Sequence, residues 1–178
     1  DGDNPVPTAG GNNLVGAPAG PYDQNKVEAR EDVLVYSTAP LEKDLEVTGP
    51  LEVVLYAASS ARDTDFTAKL VDVYPDGRAI HLAEGIRRAR HRASLERVEF
   101  LEPGEVTEYR IELAPTSNVF KVGHRLRVEI SSSNFPRFDR CLNTTDDIGW
   151  GTQRQVARQT VLHTSAYPSH ILLPVIPS

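Results

Sequence analysis

The chain has 178 residues, 39% hydrophobic and 25% charged, a composition typical of a globular protein with one domain. Its net charge of −6 argues against a nucleic-acid partner, which requires a basic surface. No apolar run approaches the roughly 20 residues of a membrane-spanning helix, so no membrane partner is expected. The single cysteine, Cys141, excludes an internal disulfide and favours a reducing compartment, which predicts a cytoplasmic location. Because the chain lacks methionine and begins at Asp1, we expect it to be a piece of a longer protein or a processed product.

Residues 1–32 differ in composition from the rest of the chain. They are rich in Gly, Pro, Asn and Ala and lack hydrophobic periodicity, so they cannot bury much apolar surface by themselves. The segment is either a flexible linker or an ordered docking segment that lies over a neighbouring domain, with Leu14 and Val15 as its apolar anchor. We place the folded domain at residues 33–178.

From Val33 onward, short β-branched or alternating stretches are separated by turn signals. The turns are expected at Thr48-Gly49-Pro50, Pro75-Asp76-Gly77 and Glu102-Pro103-Gly104-Glu105. The predicted strands comprise residues 33–36, 51–56, 66–74, 79–83, 109–113, 125–130, 160–163 and 171–175. About eight to ten short strands at this spacing predict an all-β fold, a jelly-roll β-sandwich.

Two segments fit this pattern less well. Gly85 to Phe100 has the propensity for a basic helix, but its β neighbours favour a strand followed by a loop. Cys141 to Arg158 is polar and is expected to form a long loop or a short helix. Trp150 is its one large side chain, and we expect it to be buried as an anchor of this loop.

The stretch from Gly123 to Arg140 combines a strand with a polar loop. Its first part alternates, with Leu126, Val128 and Ile130 on one face and Arg125, Arg127 and Glu129 on the other, which predicts one buried and one solvated face. Pro136 ends the strand pattern, and two apolar rings in the loop are expected to pin it to a core or a partner. We therefore predict an interdomain loop formed by Asn134, Phe135, Arg137, Phe138, Asp139 and Arg140.

No catalytic machinery is recognisable. A Gly-x-Ser-x-Gly nucleophile elbow is absent, as are phosphate-binding and dinucleotide-binding fingerprints. The five histidines have no zinc-like spacing, and we expect His81 and His124 to be surface or half-buried residues. Cys141 is expected to be a small core residue. Asp63-Thr64-Asp65 and Asp146-Asp147 are expected to cap turns in solvent, and the arginines of residues 87–92 to pair with Glu84, Glu96 and Glu99. We assign no catalytic residue, metal ligand or cofactor.

The order of several motifs resembles the C-terminal domain of the X-Pro dipeptidyl-peptidase and cocaine esterase (CocE/NonD-like) family of serine hydrolases. The resemblance runs from about Pro5 to Pro177. Its motifs include Pro5-Val6-Pro7-Thr8-Ala9-Gly10-Gly11, Asp63-Thr64-Asp65-Phe66-Thr67-Ala68-Lys69-Leu70-Val71-Asp72-Val73, Ser131-Ser132-Ser133-Asn134-Phe135-Pro136-Arg137-Phe138-Asp139-Arg140 and His170-Ile171-Leu172-Leu173-Pro174-Val175-Ile176-Pro177.

The resemblance implies a galactose-binding-like jelly roll that packs on an upstream α/β-hydrolase domain of the same chain. The Ser, His and Asp of the triad would lie in that domain, and the parent would cleave a small acyl ester or an X-Pro peptide. By position, Leu14 and Val15 would form part of the substrate-pocket wall, although relatives often carry an aromatic residue at the place of Val15. Two other readings remain open, a carbohydrate-binding jelly roll with Trp150 as its platform and a self-associating module that forms a homodimer.

Overall fold

The computed structural model describes residues 1–13 and 18–177, and it is almost entirely β-structure. Its elements in chain order are the one-turn helix α1 (Asn25–Glu28), β1 (Leu34–Ser37), β2 (Leu45–Ser59), β3 (Asp65–Val73), β4 (Ala79–Arg88), a 3₁₀ turn (Ala89–His91), β5 (Thr107–Phe120), β6 (Arg125–Ser131), β7 (Gln159–Leu162) and β8 (His170–Leu172). The predicted all-β class is confirmed. No helix among the described residues is long and apolar enough to cross a membrane.

The strands form two antiparallel sheets packed face to face. One sheet has the order β1-β6-β3-β4, and the other has the order β5-β2-β7, with β8 also paired to β2. Side chains from both inner faces fill the core, where the rings of Phe66 and Tyr109 lie 4.7 Å apart. The two sheets approach so closely at Gly85 that a Cβ there would collide with the carbonyl oxygen of Glu112. The predicted β-sandwich is confirmed, and its galactose-binding-like classification stays a prediction.

Strand β2 is longer than its sequence indicates. The turn predicted at Thr48-Gly49-Pro50 is wrong, because β2 continues through these residues and pairs with β5 on both sides of them. The register shifts between Gly49 and Leu51, and Gly49 has a φ of 138°. A β-bulge therefore absorbs the glycine and proline that resemble a turn.

The structure decides between the alternatives in both ambiguous segments. Residues 85–88 complete β4, and the 3₁₀ turn and a loop follow them, so the expected strand and loop are confirmed. Residues 141–158 contain neither helix nor strand and form a long loop, the first of the two expected alternatives.

The outer face of the sheet β1-β6-β3-β4 is not solvated. All nine residues of β3 are buried, and on β6 the Glu129 side chain is buried and Arg127 is half-buried. The prediction of a wet face on residues 125–130 is therefore wrong. The pattern has the correct period, but a second layer of chain covers the polar side of the strands.

The covering layer is the first segment of the chain. Val6, Val27 and Val33 form a small apolar cluster of their own. The fully buried Gln24 accepts a hydrogen bond of 3.0 Å from Lys69 Nζ on β3. At Gln24 the first segment thus contacts the sandwich itself, while the division of the chain after residue 32 stays a prediction.

Replacing Val27 by alanine tests whether this layer contributes to stability. Val27→Ala removes two buried methyl groups from the cluster, so we expect the free energy of unfolding to fall by about 2 kcal/mol in urea titrations. The matched control is Val122→Ala, whose side chain is 58% exposed, and which should change stability by less than about 0.5 kcal/mol. Equal effects of the two variants would show that the first segment does not pack on the sheet in solution.

Candidate interdomain surface

The loop that follows β6, residues 132–140, is held by the first residues of the chain. The backbone N–H of Val6 donates to Ser133 Oγ at 2.8 Å, and that of Phe135 donates to the Val6 carbonyl at 2.9 Å. The Thr8 N–H donates in turn to the Phe135 carbonyl at 2.7 Å. Backbone hydrogen bonds therefore fix a loop that lies more than 120 residues away in sequence.

Asn134 is the inner anchor of this loop. Its side chain is fully buried, accepts a hydrogen bond of 2.8 Å from Thr8 Oγ1 and donates to the Glu84 carboxylate. Arg137 Nε lies 2.9 Å from the other oxygen of the same carboxylate. Burial raises the pKa of Glu84, and the charge of Arg137 opposes this shift. Two of the six predicted loop residues, Asn134 and Arg137, thus point inward and hold the loop in place.

The remaining four residues of the predicted loop are more accessible. Phe135 is 41% exposed, and the Arg140 guanidinium lies over its ring at 5.3 Å. Arg140 also donates to the Gly2 carbonyl at 2.9 Å, so this face of the loop lies beside the beginning of the chain. Asp139 is exposed and pairs with Arg88, while Phe138 is half-buried beneath Arg137.

Two buried ion pairs lie below the loop. Arg90 Nε is 2.6 Å from Asp63 Oδ2, and Arg88 makes a bidentate contact with Asp65 at 2.8 and 2.9 Å. Burial raises the pKa of Asp65 to about 6 even though Arg88 lowers it. A bidentate arginine fixes geometry as well as charge, so these pairs hold the ends of β3 and β4 together beneath the surface.

These ion pairs correct the sequence analysis. Asp63 and Asp65 are fully buried and were wrongly expected to be solvated turn residues. Glu84, Glu96 and Glu99 were predicted to pair with the arginines of residues 87–92. Of these three glutamates, Glu99 does so, at 2.7 Å from Arg92. No cluster of three or more potential metal ligands lies among residues 1–13 and 18–177.

The loop of residues 141–158 begins inside the protein and then reaches its surface. Cys141 is buried, as predicted, and burial raises the pKa of its thiol to about 12, which disfavours a nucleophilic role. Trp150 is 85% exposed, so the prediction that it anchors the loop by burial is wrong. Ile148 is also exposed.

A depression lies beside these exposed side chains. Phe135, Arg140, Ile148 and Arg154 line a cavity of about 280 Å³, together with both glycines that flank Trp150. Arg154 pairs with Asp3, so the first residues of the chain again lie at its edge. We name Phe135, Arg140, Ile148, Trp150 and Arg154 the Phe135–Trp150 surface. The lining of its cavity combines the apolar side chains of Phe135 and Ile148 with charged ones such as Arg140 and Arg154.

His81 and His124 are both buried, contrary to the expectation of surface or half-buried positions. His124 Nδ1 lies 2.8 Å from Asp72 Oδ1, and the Tyr74 ring packs against the imidazole at 4.3 Å. Within the described residues, no serine hydroxyl is hydrogen-bonded to a histidine. The His124–Asp72 pair therefore lacks the nucleophile that a triad requires.

Leu14 and Val15, the predicted substrate-pocket wall, lie outside the described residues. On either side of them, Gly11 and Gly20 exchange two backbone hydrogen bonds of 2.8 and 3.0 Å. Gly11 has a φ of 88°, and a Cβ there would collide with the Glu84 carboxylate. The backbone that enters and leaves this segment is thus anchored next to Asn134 and Arg137.

The anchoring residues Thr8 and Glu84 were missed from the sequence. Glu84 occupies a strand whose alternation resembles a solvated face, and Thr8 lies in a segment without periodicity. Nothing local marks them as anchors of the loop.

The described residues form a two-sheet β-sandwich, and comparisons with known proteins identify its family. Residues 7–172 match the sequence profile of the X-Pro dipeptidyl-peptidase C-terminal non-catalytic domain. Cocaine esterase from Rhodococcus sp. (strain MB1 Bresler) is 47% identical over 176 residues, which cover 97% of this chain and 31% of the esterase.

Solved structures show the same relation. An aminopeptidase from the marine sediment archaeon Thaumarchaeota archaeon superposes with a TM-score of 0.84 at 35% identity, covering 87% of this chain and 27% of that protein. An α-amino acid ester hydrolase superposes with a TM-score of 0.82 at 32% identity, covering 86% and 27%.

The chain belongs to the family of X-Pro dipeptidyl-peptidase C-terminal non-catalytic domains. It spans about a third of the length of the curated relative, which is a larger hydrolase chain. The predicted resemblance is therefore confirmed.

The burial of His81 predicts a pH dependence of stability. Burial, with the charges of Lys69 and Arg137, lowers the pKa of His81 to about 4, from an ordinary value of 6.5 in the unfolded chain. Between these values the unfolded state binds more protons, so this contribution to stability is present above pH 6.5 and is lost as the pH falls towards 4.

His81→Gln cannot be protonated and should remove that loss. When the pH falls from 7 to 4, we expect the free energy of unfolding of this variant to decrease by about 3 kcal/mol less than that of the original chain. Urea titrations at both pH values measure the change, and His163→Gln, at an exposed histidine, is the control. A pH dependence that is the same in both variants would contradict the assignment.

Proposed function

We propose that this domain packs on an upstream α/β-hydrolase domain of the same chain and helps to form its substrate pocket. The parent would transfer the acyl group of a small ester or an X-Pro peptide to water, as the names of the relatives suggest. A serine and a histidine of the upstream domain would perform the chemistry, and an oxyanion hole would hold the developing charge. The sandwich would exclude water and shape the pocket.

The Phe135–Trp150 surface carries this proposal. An upstream domain would be joined through Asp1, and the neighbouring Gly2 and Asp3 already contact Arg140 and Arg154 of this surface. Trp150 and Phe135 expose large rings, which are enriched at interfaces. The position of this surface beside the chain's first residues supports it as the docking face.

The segment around Leu14 and Val15 would contribute the wall of the pocket. Its flanking residues are held by the same cluster that holds the interdomain loop, since Arg137 Nη1 donates to the Asn12 carbonyl. A loop and a wall that share one anchor would be positioned together when the domain docks.

The cytoplasmic location and the homodimer stay predictions. Sedimentation at several concentrations would test the homodimer.

Charge substitutions in the full-length protein test the docking face. Phe135→Glu and Trp150→Glu place a charge in the proposed interface, and each should lower the kcat/KM for p-nitrophenyl butyrate by about tenfold or more, since desolvating a charge is costly. Leu95→Glu is the matched control, because Leu95 is 78% exposed and lies outside this surface. If all three variants keep full activity and the same melting temperature, this face does not dock.

The isolated 178-residue chain should hydrolyse no p-nitrophenyl ester, because no triad lies among its described residues. The full-length protein should hydrolyse it, and a Ser→Ala change in its upstream nucleophile elbow should abolish that activity. Turnover by the pure isolated chain would contradict a non-catalytic role.

A carbohydrate-binding role is the second candidate, and the exposure of Trp150 favours it. Sugar rings stack on accessible aromatic faces, so a true site should lose binding in Trp150→Ala. Titration calorimetry with soluble oligosaccharides should show no heat of binding if Trp150 serves docking alone. Binding that Trp150→Ala abolishes would favour this candidate.

A further inference from the structure

A second cavity, of about 330 Å³, opens between the two sheets and is separate from the Phe135–Trp150 surface. It lies between β1 and β6 of one sheet and β2, β7 and β8 of the other. No residue that lines it also lines the cavity beside Phe135.

The inner part of the cavity is apolar. Leu55 and Leu70, both fully buried, reach it from the core, and Val128, Val161 and Ile171 form its sides. Well-packed interiors have few voids larger than a water molecule, because side chains that face a void lose dispersion contacts. An accessible apolar cleft of this size therefore has the form of a binding site.

The mouth of the cavity is polar but carries no acidic or strongly basic group. Tyr36 and His163 meet there in an edge-to-face arrangement, with ring centroids 5.7 Å apart. Partial burial raises the pKa of Tyr36, so its hydroxyl remains protonated and can donate a hydrogen bond. Among the described lining residues there is no aspartate, glutamate, lysine or arginine.

We propose that this cavity binds a compact, uncharged apolar molecule that carries one hydroxyl or carbonyl group. Its apolar body would contact Leu55, Leu70 and Ile171, and its polar group would hydrogen-bond the Tyr36 hydroxyl at the mouth. The volume lies in the range of small-molecule sites, about 300 to 1,000 Å³.

The lining argues against other occupants. A sugar would bury several hydroxyl groups against aliphatic side chains, and an extended peptide would leave its backbone amides without partners. An ion would lose its hydration without gaining an opposite charge. The start of the chain contacts Arg140 and Arg154, and neither of them lines this cavity.

The test uses the full-length protein with 1-naphthol as the probe. Titration calorimetry should show binding of 1-naphthol and much weaker binding of the anionic 1-naphthalenesulfonate. Methyl NMR signals of Leu70 and Ile171 should shift on addition of 1-naphthol, which distinguishes this cavity from the upstream catalytic pocket. Absence of binding, equal binding of the anion, or unshifted methyl signals would overturn the proposal.

Val161→Phe should fill the cavity and weaken 1-naphthol binding about tenfold or more, which corresponds to about 1.4 kcal/mol. Val119→Phe is the matched control, since Val119 is exposed on β5 and does not line the cavity. Thermal unfolding confirms that each variant is folded. Undiminished binding in folded Val161→Phe would overturn the proposal.

Tyr36→Phe removes only the hydroxyl of a half-exposed ring, so it should fold even where the filling variant does not. This variant should bind 1-naphthol about fivefold more weakly, because a neutral hydrogen bond contributes roughly 1 kcal/mol. Its binding of naphthalene, which has no hydroxyl group, should not change. Sedimentation provides a further check. A dimer that Val161→Phe converts to monomers would assign the cavity to a second copy and overturn the proposal.

Discussion

The buried ammonium group of Lys69 is the constraint on which the arrangement of this domain depends. It lies on the outer face of the sheet β1-β6-β3-β4, 3.0 Å from Gln24 Oε1 and 3.5 Å from the Glu129 carboxylate. Both charged side chains are 3% exposed. A buried charge without partners is strongly destabilising, so the sheet requires the first segment of the chain, which brings Gln24 to it.

The covering segment links this buried polar layer to the interdomain surface. The stretch that ends at Gln24 begins with Val6 and Thr8, and these hold the loop that carries Phe135. A loop fixed from both its strand and the first segment can present side chains with little conformational entropy left to lose on docking. In the proposed function, this rigidity would allow a domain without a catalytic triad to shape a neighbouring pocket.

The domain has two accessible regions with different chemistry. The Phe135–Trp150 surface combines exposed rings with arginines and lies beside the first residues of the chain. The cavity between the sheets is aliphatic inside and neutral at its mouth. Since no lining residue is shared, docking and small-molecule binding would occupy separate parts of the molecule.

The sequence by itself determined the all-β class, most strand positions, the burial of Cys141 and the family. Alternation, turn residues and ordered motifs are local properties, and they survive in any tertiary context. It could not show that Gly49 and Pro50 form a bulge inside β2, because a bulge and a turn use the same residues.

Only the tertiary structure decided which polar residues are buried. Glu129, His81, Asp63 and Asp65 look like surface residues in the sequence, because alternation reports the period of a strand and not the presence of a second layer above it. The sequence could not predict the exposure of Trp150 either, since the glycines on both sides of it allow the ring to be buried or exposed. Burial depends on contacts between distant parts of the chain, and no local pattern encodes those contacts.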